Sequence, residues 1–308
     1  MRIVLVLKVI IMTKNLSILV TGSTGQLART LAQFAVDYPQ YQFYFVDRSQ
    51  LDYTDEQQFD LFFQKNHFDI IINCAAYTAV DQAERELELA DQINHLAVKK
   101  LAQYAREYNS ALVHISTDYV FNGTQCRPYL EQDETRPQSV YGLSKLKGEQ
   151  ALSQIMPVNA MIIRTSWVFS EFGHNFVKTM LRLSEQREEL NVIYDQVGTP
   201  TYAGDLAQAI LRIIKNNTFS QTNLKTDIYH YTNEGVCSWY DFACSVFEIS
   251  HKKCLVKPIE TKEYPTPAKR PNYSLLNKSK IKQTYGINIP YWKDSLKQCL
   301  NKIQDSKA

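Results

Sequence analysis

Tyr141 and Lys145 stand four residues apart in the run Tyr-Gly-Leu-Ser-Lys. On a helix, side chains at that spacing share one face. An ammonium beside a phenol stabilises the phenolate and is expected to draw the tyrosine's pKa down from about 10. The tyrosine then becomes a proton donor to an oxygen that is gaining negative charge. Alone, so short a pattern is usually a solvated helix face, and its weight comes from its surroundings. Leu112-Val113-His114-Ile115 reads as a short buried strand that breaks into the small polar residues Ser116, Thr117 and Asp118. A turn-rich loop carrying Pro128 and Pro137 then leads into the helix that bears the pair.

A second chemical signal lies near the start. The apolar strand Leu16–Val20 is followed by Thr21-Gly22-Ser23-Thr24-Gly25-Gln26-Leu27-Ala28 and by a helix with Leu27, Leu31, Phe34 and Ala35 at helical spacing. Strand, glycine turn and helix N-terminus together make an anion-binding corner, because glycines admit a pyrophosphate close to the backbone and free N–H groups favour its charge. The spacing is G-x-x-G with Ala28 three residues further on, not the full G-x-G-x-x-G, and glycine turns before helices also serve packing alone. Asp47 ends a second strand, Gln42–Val46, about 20 residues past the turn, where a carboxylate suits a ribose diol. Arg48 follows directly and suits a 2′-phosphate, so NADPH and NADH both stay open as the cofactor.

These residues need a scaffold, and the chain supplies its pattern. Asp69–Asn73 is a third strand, ending in Cys74-Ala75-Ala76-Tyr77-Thr78, whose small residues leave room for a flat ligand at the carboxyl edge of a sheet. Asp81 to Tyr108 reads as one strongly helical stretch, and Met161–Ser166 as a further strand. Strand and helix alternate, which predicts an α/β fold with a doubly wound, parallel, Rossmann-like sheet. Beyond Ser166 the rhythm changes: a helix near Asn175–Ser184, another at Asp205–Ile214, a strand at Ile228–Tyr231, and a proline-stiffened loop at Tyr264–Pro271. The expected division is a dinucleotide-binding domain of residues 13–166 plus roughly 203–235, and a smaller α/β substrate domain of roughly 167–202 plus 236–308. Residues 1–12 read as an N-terminal extension, with Met12 the natural beginning.

Composition narrows the partners. Lys plus Arg (34) nearly balances Asp plus Glu (32), so no charged face argues for nucleic acid or an anionic membrane. The six cysteines of the 308 residues are scattered, without a Cys-x-x-Cys pair, and read as reduced thiols in a cytoplasmic protein. The six histidines are equally dispersed, so no metal is expected. The apolar run near the N-terminus is too short to span a bilayer and is interrupted by Lys8.

Taken together, TGSTGQLA (21–28), NCAAYTAVDQAE (73–84), STDYVFNG (116–123), YGLSKLKGE (141–149), RTSWVF (164–169), NFVKTMLRL (175–183), DQVGTPT (195–201) and YPTPAKRP (264–271) resemble the extended short-chain dehydrogenase/reductase family. The last three blocks resemble its branch that reduces the 4-keto group of dTDP-4-dehydro-L-rhamnose, giving dTDP-L-rhamnose for surface polysaccharides. The resemblance implies Tyr141 as proton donor, Lys145 as the group that acidifies it and grips the nicotinamide ribose, and Thr117 as a hydrogen-bond partner of the substrate oxygen. It implies cofactor contacts from Gly22, Ser23, Thr24, Gly25, Gln26 and Leu27, then from Asp47, Asp52 and Tyr53, then from Ala75, Ala76 and Tyr77; Arg48 joins them on its own chemistry. Substrate contacts are implied for Asp118 and Trp167 on the sugar side, and for Asn175, Asp195, Gln196, Pro200, Thr201 and Arg270 around the nucleotide. A guanidinium at Arg270 also suits a pyrophosphate on its own chemistry.

Some members of this branch bridge a dimer through Mg²⁺. Here Thr30 and Gln186 stand where carboxylates would be needed, and Glu185, Glu188 and Glu189 read as a solvated face, so no metal bridge is expected and the chain is a monomer or homodimer. Two other readings share the cofactor half. An epimerase or 4,6-dehydratase would regenerate its nicotinamide, but dehydratases carry a glutamate where Tyr119 follows Asp118. A non-catalytic regulatory subunit, like that of methionine adenosyltransferase, is opposed by the intact Thr117, Tyr141 and Lys145.

Overall fold

The structure is a computed structural model that describes residues 15–216 and 224–305; the expected extension, residues 1–12, lies outside the described residues. The first half runs β1 (Leu16–Thr21), α1 (Gln26–Ala35), β2 (Tyr41–Val46), α2 (Glu56–Lys65), β3 (Ile70–Asn73), α3 (Val80–Ala83), α4 (Leu87–Asp91), α5 (Ala97–Glu107), β4 (Ala111–Thr117), α6 (Val140–Ile155) and β5 (Ala160–Thr165). The second runs β6 (Val168–Phe169), α7 (Phe176–Ser184), β7 (Glu189–Ile193), β8 (Val197–Gly198), β9 (Thr201–Tyr202), α8 (Ala203–Lys215), β10 (Asp227–His230), β11 (Cys237–Ser238), α9 (Trp239–Ile249), β12 (Leu255–Ile259), α10 (Ser279–Tyr285) and α11 (Trp292–Asp305).

Six strands form one sheet in the order β10-β5-β4-β3-β1-β2, every neighbour parallel. A parallel sheet is covered on both faces, so its strands are apolar on both sides, as in Ile18-Leu19-Val20 and Ile70-Ile71-Ile72, all buried. Alternate residues feed two cores: Ile18, Val20 and Ile72 pack with Leu31, Leu206 and Ile210, while Leu19, Ile71 and Leu112 pack with Leu101 and Leu152. From β1 the chain passes to β2 on one side and later to β3 on the other. The connections therefore diverge at the carboxyl ends of β1 and β3 and open a crevice there.

The helix expected over 81–108 is interrupted. α3 ends at Ala83, α4 begins at Leu87, and a wide π turn, Gln92–Leu96, joins α4 to α5. The turn buries Asn94, whose amide donates to the Tyr77 carbonyl (3.0 Å) and Ser144 Oγ (3.0 Å) and accepts from the Tyr77 N–H (2.9 Å). It clamps the loop after β3 against α6, a tertiary reward that a periodic sequence pattern does not reveal. Gly148 lets α6 come this close, because a Cβ there would strike the Asn94 carbonyl.

A third core joins β6, α7, β7, α9 and α11 through Phe169, Val177, Leu190, Phe242, Trp292 and Leu296. The segment around α10, grouped by the sequence with this second unit, instead packs Ile281, Tyr285, Ile287 and Ile289 into the core of the main sheet. Among the described residues no helix is long and apolar enough to cross a membrane.

Candidate active site

The crevice at the strand ends is a cavity of about 800 Å³. One end is the glycine turn. Gly22 has a left-handed φ of +68°, and a Cβ there would lie 2.9 Å from Cα of Ala75. Only glycine gives both that backbone and that closeness. Gly25 is the N-cap of α1, with no side chain capping the helix and no acidic residue in its first turn. The free N–H groups and the helix dipole are left to an anion. Thr24, Gln26 and Leu27 line the same end.

Next along the cavity are Asp47, Arg48, Asp52 and Tyr53. Asp47 accepts from the N–H (2.8 Å) and hydroxyl (2.6 Å) of Ser49, which hold its carboxyl below the ordinary range. Arg48 Nε donates to Asp52 (3.0 Å), yet the Arg48 side chain is 72% exposed and open to a further anion. The Tyr53 hydroxyl is turned inward to the Asn73 side-chain oxygen (2.9 Å). Ala75 and Ala76 form the floor beyond β3.

At the far end Thr117, Asp118, Tyr141, Lys145 and Trp167 converge. Thr117 closes β4, and its oxygen accepts from the Tyr119 N–H while its hydroxyl donates to Asp118 (3.0 Å). α6 begins at Val140, capped by Ser139, whose hydroxyl accepts from the Gly142 N–H. Tyr141 and Lys145 thus occupy its first and second turns. The Tyr119 ring meets the Tyr141 ring edge-on at 5.5 Å.

Burial dominates the electrostatics. It raises the Tyr141 phenol to about 12, partly offset by a hydrogen bond with Thr117 and reinforced by the Asp118 charge. It lowers Lys145 to about 8, against the pull of Glu149. The expected acidification of Tyr141 by Lys145 is not found: desolvation sets the phenol, and the lysine amine donates to the Ile115 carbonyl (2.6 Å). The phenol holds its proton firmly, as a general acid must before reaction. Asp118 is raised to about 6 by burial, against the pull of hydrogen bonds from Ser274 and Thr117.

Other expected site residues lie off this cavity. Ser23 donates its N–H to the Val46 carbonyl (3.0 Å), and the Tyr77 hydroxyl donates to Glu86 (2.7 Å). Asn175 caps α7 and donates to Gln26 Oε1 (2.9 Å). Asp195 and Gln196 both bond Thr261, and Pro200 and Thr201 are buried behind the cavity wall, Thr201 against Thr165 (3.2 Å). Arg270 forms a two-pronged pair with Asp81 (2.7 and 3.0 Å) and donates to the Ala268 carbonyl, so a pyrophosphate would compete with a carboxylate already in place. Thr30 is buried with its hydroxyl on the Gln26 carbonyl. Among the described residues no group of three His, Cys, Asp or Glu side chains is placed to hold a metal ion.

Trp239 and His174 are among the lining residues that escaped the sequence reading. Trp239, first residue of α9, stacks on Trp167 with centroids 3.6 Å apart, and Trp167 itself adopts a left-handed φ of 48°. His174 lines the cavity beside Gly173. Only the Ser238–Asp241 capping box marked the α9 start; nothing local foretold that its tryptophan faces another 72 positions earlier.

With this geometry in view, comparison is informative. Residues 16–305 match the model of the RmlD substrate binding domain family. A dTDP-4-dehydrorhamnose reductase of Aggregatibacter actinomycetemcomitans is 44% identical over 286 residues, 91% of this chain and 97% of that protein. The chain belongs to the dTDP-4-dehydrorhamnose reductase family. The crystal structure of a member from Clostridium acetobutylicum superposes with a TM-score of 0.87 at 40% identity, covering 94% of this chain and 99% of that one. A second member, from Bacillus anthracis and in complex with NADP, gives the same TM-score at 36% identity and the same coverage. The glycine corner with its uncapped helix end fits the diphosphate of such a dinucleotide, and the exposed Arg48 fits a 2′-phosphate.

Proposed function

We propose that this chain reduces the 4-keto group of dTDP-4-dehydro-L-rhamnose to the alcohol of dTDP-L-rhamnose, using NADPH or NADH. The observation that carries it is the convergence of Thr117, Tyr141 and Lys145 on the same cavity as the glycine turn. Gly22, Thr24 and Gly25 hold the diphosphate of the cofactor, with Asp47, Arg48 and Asp52 at the adenosine end. When bound, the reduced nicotinamide supplies the two electrons that the carbonyl carbon accepts. Thr117 and Tyr141 orient the carbonyl oxygen, and Tyr141 delivers its proton to it, so no full alkoxide forms in a dry site. Help of this kind is worth about 10²–10⁴-fold, and fixed orientation adds to it. Trp167, backed by Trp239, forms a flat wall for the sugar. Thr201, which follows Pro200, donates its N–H to the Trp167 carbonyl (3.2 Å) and holds that wall from behind; Asp195 and Gln196 hold Thr261, and Arg270 stands at the nucleotide end with Asp81.

Tyr141→Phe should lower turnover at least a hundredfold while NADPH still binds. Retention of near-normal turnover, with cofactor affinity measured by fluorescence titration, would refute the assignment. Net NADPH oxidation with dTDP-4-dehydro-L-rhamnose separates reduction from epimerisation or dehydration, which consume none. Tyr119 already weighs against dehydration: its ring packs on Tyr141 where that chemistry needs a second carboxylate.

A further inference from the structure

Trp239 opens α9 and packs against the third core, yet it is only half-buried. Its indole meets two rings closely. Trp167 stacks on it at 3.6 Å with the planes 15° apart, and Phe176 approaches at 4.7 Å and 50°. Phe242 stands further off at 6.3 Å. Part of the indole still lines the cavity, together with Trp167 and Val168.

Trp167 is held for this contact at a cost. Its backbone is left-handed at φ 48°, a region that a bulky residue occupies only where its surroundings keep it there. Its carbonyl accepts from the Thr201 N–H (3.2 Å). Gly198 leaves room for its ring, since a Cβ there would lie 3.0 Å from Cζ2 of Trp167. The stack on Trp239 is the one ring contact that Trp167 makes among the described residues. Two indoles face to face cover apolar area on each other and leave an apolar corner in the cavity that Thr117 and Tyr141 also line.

We infer that Trp239 determines which sugar is reduced: with Trp167 it forms the corner that takes the methyl group on C5 of a 6-deoxy-4-keto sugar and rejects a hydroxymethyl group there. This rests on the reading of Thr117 and Tyr141 as the partners of the C4 carbonyl. In such a sugar C4 lies between C3, which carries a hydroxyl, and C5, which carries the methyl. Around Thr117 and Tyr141 the cavity offers a carboxyl at Asp118 and an apolar corner at Trp167, Trp239 and Val168. The methyl is the sugar's one apolar substituent, and it loses nothing against indole carbon. A hydroxymethyl group would exchange water for carbon. The rings gathered on Trp239 offer no acceptor for its proton, because an indole has only a donor and Phe176 and Phe242 have neither.

The test compares two substrates: dTDP-4-dehydro-L-rhamnose, and the same 4-keto sugar nucleotide with a hydroxymethyl group on C5. The wild type should prefer the first by about tenfold or more in kcat/KM, the scale on which an apolar pocket discriminates one small group. Trp239→Leu should cut that ratio about tenfold, through a higher KM for the methyl sugar, while the Kd for NADPH stays unchanged. Trp239→Phe, which keeps a smaller ring on Trp167, should lower the ratio about threefold and decides the matter if the leucine variant does not fold. A purely structural tryptophan would lower kcat/KM for both sugars alike and leave the ratio in place. That result, or a wild type indifferent to the added hydroxyl, would overturn the inference while the reduction itself stands. If NADPH is oxidised with neither sugar, the reduction falls and the inference with it.

Discussion

Asp118 illustrates how one side chain couples the site to stability. Its carboxyl is buried, and burial raises its pKa from 3.8 to about 6 in spite of hydrogen bonds from Ser274 and Thr117. A carboxyl whose folded value is raised binds its proton more tightly when folded. Its contribution is therefore most favourable below about pH 4 and is lost as pH rises through 6. Asp118→Asn should equal the wild type in stability near pH 4 and exceed it near pH 7.5 by up to about 3 kcal/mol, two pKa units at 1.36 kcal/mol each. Urea unfolding at both pH values measures this; an Asn variant less stable at pH 7.5 would show that an ionised Asp118 is well solvated in the site. At this scale the residue types at Thr117, Tyr141 and Lys145 were legible, because their spacing and the strand before them are local. The protonation balance was not: it depends on desolvation by residues from β3, β4 and α6, which no spacing rule contains.

Elements are held in place by a few buried polar joints. α6, which carries Tyr141 and Lys145, is fixed to the sheet through Glu149. That carboxylate takes Arg164 Nε at 3.0 Å and Nη2 at 2.6 Å, and also accepts from Ser116 on β4. Both members of the ion pair are almost fully buried, and the Arg164 guanidinium lies over the Phe121 ring. Removing one partner of such a pair strands the other charge, at a cost of about 3–5 kcal/mol. Glu149→Ala should lose that much in urea unfolding, and Glu149→Leu combined with Arg164→Met should recover most of it. If the single variant loses less than about 1 kcal/mol, the joint does not anchor α6. The elements themselves followed from apolar periodicity: β1, β3, β4 and the start of α6 lie close to where the sequence puts them. The long helix over 81–108 did not survive because Asn94, read as one polar position among many, is worth more as a clamp on the Tyr77 loop than as a turn of regular helix.

At the scale of the whole molecule, the question is what joins the sheet that carries the glycine turn to the segment after β5. Gln26, the first residue of α1, donates to the Val168 carbonyl (3.3 Å), and its side-chain oxygen accepts from Ser170 (3.0 Å) and Asn175 (2.9 Å). Asn175 also donates to the Ser170 and Phe172 carbonyls and caps α7 through Lys178. The sequence marked Gln26 and Asn175 as two separate contacts, one for each ligand. In the folded chain they bond each other, 149 positions apart, beside the N-terminus of α1. Sequence separation of that size hides a contact from any local rule, which is why this joint was illegible. Asn175→Ser keeps a capping oxygen for α7 but removes the amide donors. Global stability should then fall by no more than about 1–2 kcal/mol, as expected for a few neutral hydrogen bonds. The segment 168–176 should meanwhile lose hydrogen-exchange protection, and KM for NADPH and for the sugar nucleotide should rise together several-fold, with kcat less affected. A rise in the sugar nucleotide KM alone would mean that Asn175 acts only on the substrate side, and that the two halves of the cleft are set independently.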